Sequence, residues 1–200
     1  MGNAPGVGIQ ASPAAPKSEP VPFSDAALVR AARLGDHDAF ALIVSEHGPA
    51  MHRFAARTLG NAFDAQEAVQ EAFASAWRDL RLFRGDSSLR TWLFTLVSRK
   101  AADLRRRRRP IPVDDEMLLR WAASESSGPY EHVAAAALVT ALEEALTELP
   151  VRQRAAWVLR EVEQMSYEEI ATVLGVTVGS VRGHLHRSRN ALQERMSPWR

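Results

Sequence analysis

The sequence predicts an all-α protein of two small helical domains joined by a flexible linker. Three observations lead there. After Pro22, apolar residues recur at helical spacing in almost every segment, and strand-like alternation is scarce. Helix-start and helix-stop residues bracket those segments. An acidic, Pro-, Ser- and Gly-bearing stretch over 111–130 then separates two helical blocks, 23–110 and 131–200.

Taken in order, residues 1–22, "MGNAPGVGIQASPAAPKSEPVP", are rich in Pro, Gly, Ala and Ser and read as a disordered leader. They lack the basic start and apolar centre of a secretory signal. "SDAALVRAARLGDHDAFALIVSEHG" predicts two short helices around Gly35. Pro49 suits the first turn of a further helix, "PAMHRFAARTLG", stopped by Gly60. "DAQEAVQEAFASAWRDL" opens on Asp64 as N-cap with Glu67 three residues on, and Val69, Phe73, Ala76, Trp77 and Leu80 form its apolar stripe. A polar break, "FRGDSSL", precedes "RTWLFTLVSRKAADLRRRRRP", whose stripe is Trp92, Leu93, Leu96, Val97 and Leu104. Pro110 and Pro112 end that helix. One helical turn is expected in the linker at "MLLRW", and a second helical block is expected from Tyr130 to the end.

Composition narrows the function classes. The 200 residues carry a formal charge of only +1, but it is unevenly spread. Residues 99–109 sum to +6 and residues 114–131 to −4. A basic segment beside an acidic one points to a polyanion site followed by a segment that avoids or mimics the polyanion. With no cysteine, disulfides and thiolate metal sites are excluded, and a cytoplasmic location is expected. No apolar run reaches the roughly 18 residues of a membrane span. No nucleophile–base pair or carboxylate cluster stands out, so no enzyme activity, cofactor or metal is expected.

The most specific local signal is "SYEEIATVLGVTVGSVRGHLHRSRNAL". Ser166 and Glu169 make a capping box, Gly175 ends a short helix, and Thr177 caps the next. Helix, glycine turn, helix is the geometry that places a second helix in a major groove. Val181, Leu185, Ser188 and Leu192 share one face of that helix. The opposite face offers Ser180, Arg182, Gly183, His186 and Arg187 for DNA, with Gly179 beside them. Arginines there can bond guanine O6 and N7 in bidentate fashion. His184 and His186, two residues apart, point away from each other and make a poor metal pair.

Together these stretches resemble the extracytoplasmic-function sigma factors of bacterial RNA polymerase, a branch of the sigma-70 family. "DAQEAVQEAFASAWRDLRLFRGDSSLRTWLFTLVSRKAADLRRRRR" is similar to their sigma-two domain. "ALEEALTELPVRQRAAWVLREVEQMSYEEIATVLGVTVGSVRGHLHRSRNAL" is similar to their sigma-four domain. The resemblance spans about 26–195. Gly183 and His184 depart from the family pattern, which often has a basic or small polar residue and an arginine there.

The resemblance implies partners and roles. The sigma-two domain docks on core RNA polymerase and opens the minus-ten element; the sigma-four domain reads duplex DNA at minus thirty-five. Glu67, Gln70, Glu71 and Arg78 are then expected to dock on polymerase. Asp86, Ser87 and Ser88 are expected to hold an unstacked minus-ten base. Arg105, Arg106, Arg107, Arg108 and Arg109 are expected to hold phosphates, mostly without sequence preference. Trp92 fits either a purely structural role or stacking on DNA. An anti-sigma factor is an expected regulator. The competing reading is a helix-turn-helix regulator that acts without polymerase; it leaves the acidic helix and the Trp-to-arginine segment unexplained.

Overall fold

A computed structural model describes residues 24–107 and 131–197 and, except for 131–136, their side chains. The leader at 1–22, the linker at 111–130 with its turn at "MLLRW", Arg108, Arg109, Pro110 and Pro112 lie outside the described residues. The helices are α1 (Asp25–Arg33), α2 (His37–Leu59), α3 (Ala62–Asp79), α4 (Leu89–Arg107), α5 (Glu131–Glu148), α6 (Val151–Trp157), α7 (Tyr167–Leu174) and α8 (Val178–Arg195). A single 3₁₀ turn, Leu80–Leu82, follows α3, and α6 widens into a π-turn over Val158–Val162. No strand occurs among the described residues.

The two helices expected around Gly35 form as α1 and α2. Gly35 has φ +94°, and Asp36 caps α2 by accepting from the Asp38 and Ala39 amides at 2.9 and 3.0 Å. Pro49 does not begin a new helix. It lies inside α2, which runs unbroken to Gly60. The reason is the buried face: Ile43, His47, Met51, Phe54 and Thr58 recur at three- and four-residue steps across Pro49, with Ala55 beside them. Packing of that face outweighs the backbone bond that Pro49 cannot donate. Gly60 ends the helix as expected, with φ +69°.

The start of α3 also differs from expectation. Asn61 is its N-cap, accepting from the Phe63 and Asp64 amides at 2.9 and 3.1 Å. Asp64 is instead a buried residue of the first turn. Asn caps as well as Asp does, and its earlier position adds three helical residues. The buried stripe of α3 is Ala65, Ala68, Ala72 and Ala76, with Phe73 and Leu80, while Val69 and Trp77 are half-buried at its margin. These alanines let α3 lie close to α2 and α4, which supply the bulk: Ile43, Met51, Phe54, Leu93, Phe94 and Val97. Phe54 and Phe94 meet with ring centres 5.6 Å apart. His47 Nε2, 3.3 Å from Asp25 Oδ1, ties α1 to α2.

The second half packs α6, α7 and α8 around Leu159, Met165, Ile170 and Leu185. Leu146 of α5 and Leu149 just after it join Leu192 of α8 in a satellite cluster. Buried Arg154 closes the α5–α6 turn by donating to the carbonyls of Thr147 and Leu149, and it reaches the Arg57 carbonyl at the end of α2, 3.3 Å away. Burial, and secondarily Arg105, lowers its pKa from the ordinary arginine value; the guanidinium remains charged. The two halves touch directly, α7 against α4 and α6 against α2, and one apolar core runs through both.

Pro49 gives a test of the continuous helix. Pro49→Ala restores an amide donor in mid-helix. It should raise unfolding stability by up to ~3 kcal/mol in urea titration with an unchanged m-value. A loss of stability would show that α2 needs its proline.

Candidate nucleic-acid interface

The helix-turn-helix is built as its sequence requires. Ser166 Oγ accepts from the Glu169 amide at 3.2 Å, and Glu169 Oε2 accepts from the Ser166 amide at 2.8 Å. Gly175 turns the chain with φ +62°, a left-handed conformation that β-carbon-bearing residues adopt at a cost. Thr177 Oγ1 accepts from the Ser180 amide at 3.2 Å and starts α8. Val181, Leu185, Ser188 and Leu192 are all buried. Ser180, Arg182, His186 and Arg187 are exposed on the other side, with Gly183 half-buried between them. Ser180 Oγ also pairs with Thr177 Oγ1 at 3.0 Å.

The Arg187 guanidinium folds back over Gly183, where a β-carbon would sit 3.3 Å from Arg187 Nη1, the movable end of an exposed side chain. Arg187 Nη2 lies 3.4 Å from His184 Nδ1. His184 turns inward, and its pKa is lowered by burial first, then by Arg187 and Arg152. His186 faces out and meets Asn190 at 3.2 Å, so the two histidines diverge as expected. Arg189 braces α8 on the π-turn through Glu161 at 2.7 Å.

In the first half, the loop before α4 turns at Gly85, φ +84°. Ser88 caps α4: its Oγ accepts from the Thr91 amide at 3.1 Å and pairs with Thr91 Oγ1 at 2.9 Å. That leaves Asp86 and Ser87, which line an open cleft of about 340 Å³ with Leu82, Phe83, Arg84 and Trp92. Trp92 is half-buried at the edge of the α4 stripe, whose centre is Leu93, Phe94, Val97, Ala101 and Leu104. Its ring lies 5.1 Å from that of Phe83, which Arg33 covers at 6.0 Å. Phe83 and Arg84 had no signal in periodicity; they enter the site only because the loop folds them towards Trp92.

The last turn of α4 presents Arg105, Arg106 and Arg107 to solvent, Arg106 paired with Asp103. On α3, Gln70 and Arg78 are exposed and Glu67 is half-buried. Glu71 is not on a free face: it is half-buried and reaches Lys100 of α4 at 3.3 Å. Sequence reading missed Phe63, 70% exposed at the start of α3. Phe63, Glu67, Gln70 and Arg78 fall on one side of α3 by helical spacing.

Among the described residues, Asp25, Glu46 and His47 bring potential ligand atoms within 4.8 Å of one another. The His47–Asp25 pair already accounts for two of them as a structural tie. No helix among the described residues is long and apolar enough to cross a membrane.

Two family models match the chain: sigma-70 region 2 over residues 43–111 and sigma-70 region 4 over residues 140–192. The RNA polymerase sigma-H factor of Pseudomonas aeruginosa is 32% identical over 182 residues, 87% of this chain and 94% of that protein. The ECF RNA polymerase sigma-E factor of Escherichia coli is 32% identical over 185 residues, 88% and 96%. The ECF RNA polymerase sigma factor SigW of Bacillus subtilis is 28% identical over 176 residues, 84% and 94%. Among solved structures, CnrH in complex with the cytosolic domain of CnrY is 30% identical, with TM-score 0.62 over 86% of this chain and 96% of that one. The sigma factor RpoE of Bartonella quintana, in complex with the anti-sigma factor NepR, has the same fold at 24% identity and TM-score 0.61, over 79% and 96%.

The capping box makes the helix-turn-helix sensitive to acid. The Ser166 amide bond holds the Glu169 pKa below the ordinary glutamate value, with the Ser166 and Thr91 hydroxyls and Arg90 adding to it against partial desolvation. A depressed carboxylate pKa stabilises the fold above the unfolded-state value of about 4.3. That contribution is lost as pH falls through the lower folded-state value. Urea titrations across this range should show wild-type protein losing more stability than Glu169→Gln. Parallel curves would remove Glu169 from the acid response.

Proposed function

The chain belongs to the extracytoplasmic-function sigma factors of the sigma-70 family, and from that premise we propose how its surfaces divide the start of transcription. It is an RNA polymerase sigma factor: it directs core polymerase to promoters and aids melting of the DNA. Sigma factors regulate transcription rather than catalyse a reaction; on our reading this chain has no active site, needs no cofactor or metal, and works in the cytoplasm beside polymerase.

The first half, 23–110, is the sigma-two domain. Phe63, Glu67, Gln70 and Arg78 form its polymerase-docking face, with Phe63 as the apolar anchor. Glu71 supports that face from beneath through Lys100. The cleft under Phe83 and Trp92 takes an unstacked minus-ten base. Asp86 and Ser87 offer it polar contacts, and Trp92 offers an aromatic wall worth ~1–3 kcal/mol when a base stacks. Ser88 positions the loop by capping α4. Arg105, Arg106 and Arg107, with Arg108 and Arg109 beyond them, attract backbone phosphates.

The second half, 131–200, is the sigma-four domain. α8 enters the major groove at minus thirty-five with Arg182, His186 and Arg187 outward, Ser180 near a phosphate, and Gly183 allowing close approach. Residues 111–130 connect the halves. An anti-sigma factor is the expected negative regulator. The observation that carries this reading is the order of surfaces in one chain: aromatic cleft and arginine run first, capped helix-turn-helix with a basic outer face second. A regulator acting on duplex DNA alone would use only the second.

Run-off transcription tests it. The chain mixed with core polymerase and genomic fragments should give discrete start sites that core polymerase alone does not. Duplex binding with no core-dependent transcript would favour the polymerase-independent regulator. Within that assay, Arg187→Ala should weaken promoters that depend on the minus-thirty-five element by ~1–3 kcal/mol, the worth of a bidentate guanine contact. Unchanged promoter strength in a folded variant would clear Arg187 of base contact.

A further inference from the structure

Along α2 and α4, arginines that meet the second half are answered by carboxylates. Arg53 and Arg90 share Glu163, whose side chain is only 2% exposed. Arg57 pairs with Glu143 at 2.8 Å. One place breaks this pattern. A cavity of about 150 Å³ opens among α2, α4, α6 and α8, and no carboxylate lines it. Its basic lining is Arg105 and Arg106 of α4, Arg152 of α6 and His184 of α8. Arg106 has Asp103 beside it on its own helix. Arg105 and Arg152 form no ion pair among the described residues. Neighbouring groups register the excess of positive charge. Burial chiefly, then Arg105, lowers the pKa of Arg154. Burial, then Arg187 and Arg152, lowers that of His184. Like charges repel more strongly where water is partly excluded, so the cavity holds a positive potential that no side chain around it cancels.

A second observation concerns hydrogen bonding. Thr58 lines the same cavity and is only 7% exposed, yet its hydroxyl has no partner among the described residues. A helical threonine ordinarily uses that hydroxyl on a backbone carbonyl one turn back, and rotation about χ1 exchanges its hydroxyl and methyl positions. An unpaired buried hydroxyl costs stability that an acceptor in the cavity would restore. Ser98 of α4 lines the cavity with a second hydroxyl. Volume narrows the guest further. The space holds roughly ten water-sized spheres. That suits a diphosphate and falls below the roughly 300 Å³ at which pockets for drug-sized ligands begin. A DNA strand does not fit inside. Arg105, Arg106 and Arg152 are exposed, so any larger remainder can extend past them into water.

We propose that this cavity is a binding site for a small phosphorylated molecule, its phosphoryl oxygens taken by Arg105 and Arg152 and by the hydroxyls of Thr58 and Ser98. Guanidinium forks match phosphate oxygens two at a time, and several positive groups around one space favour a multiply charged anion over a single carboxylate. The site stands apart from the sigma-factor reading, because binding of such an anion needs neither polymerase nor DNA.

Calorimetric titration of the full chain with inorganic pyrophosphate, in phosphate-free buffer at constant ionic strength, tests it. Binding should be saturable. Arg152→Ala should weaken it ~10-fold or more, the worth of a charged hydrogen bond. Thr58→Val keeps the shape of the side chain and removes the unpaired hydroxyl. It should also weaken binding, while the thermal midpoint without pyrophosphate stays level or rises; a threonine with a purely structural role would leave the affinity alone. Arg30→Ala removes an exposed arginine of α1 that does not line the cavity, and should not change the affinity. Circular dichroism checks that each variant is helical. No saturable heat, unchanged affinity in either folded cavity variant, or equal weakening by Arg30→Ala would overturn the site. Binding seen only after Asp114→Asn, Asp115→Asn and Glu116→Gln are combined would overturn it too, because the chain's own carboxylates would then be the occupant.

Discussion

A carboxylate taken out of water has to be given charge in return, and the arrangement of this molecule follows from one such group. Glu163 stands at the end of the π-turn, where the extra residue in the helical ring shifts it out of the α6 line. Gln164 then adopts φ +56° so that the chain can turn into α7. The result aims Glu163 between Arg53 of α2 and Arg90 of α4. Through it the second half gains a fixed position on the first. Arg154 adds a buried positive charge, reaching from α6 to the carboxyl end of α2. Both buried ions come from the second half, and neither has that environment when the halves part.

The two candidate DNA surfaces are made by opposite means. The helix-turn-helix depends on helix ends: Ser166, Gly175 and Thr177 satisfy backbone groups that would otherwise be left without partners. Its outer face follows automatically once the inner stripe of α8 is buried. The cleft in the first half depends on side-chain stacking over a loop. Phe83 meets Trp92 and is covered by Arg33 from α1, so three elements far apart in sequence fix one wall. The first kind of surface is set largely by local helix ends, while the second exists only where distant elements pack together.

On α3, residue size rather than hydrophobicity sets which side chains stay at the surface. Its deepest positions are alanines, which bring the helix backbone close to α2 and α4. Close approach pushes Val69 and Trp77 to the margin and leaves Phe63 in water. It also draws Lys100 of α4 within reach of Glu71, removing that carboxylate from the free surface.

Much of this was determined by the sequence alone. Helical class, the break at Gly35, the stop at Gly60, the capping box, the turn at Gly175 and the α8 stripe are all local: each is decided within about four residues, by backbone hydrogen bonding and side-chain period. The basic outer face of α8 was legible for the same reason. Tertiary structure decided the rest. Pro49 reads as a helix start because its own neighbours favour one, and only a long buried face overrides that. Asp64 and Asn61 are equivalent caps until packing draws Asp64 inside. Ser87 and Ser88 look alike in sequence, yet one lines the cleft and the other caps α4. Above all, no periodicity marks Glu163 as buried, because its partners stand 73 and 110 residues away in the chain. A contact between charges that distant carries no local signature, and only the packing of α6 and α7 on α2 and α4 creates it.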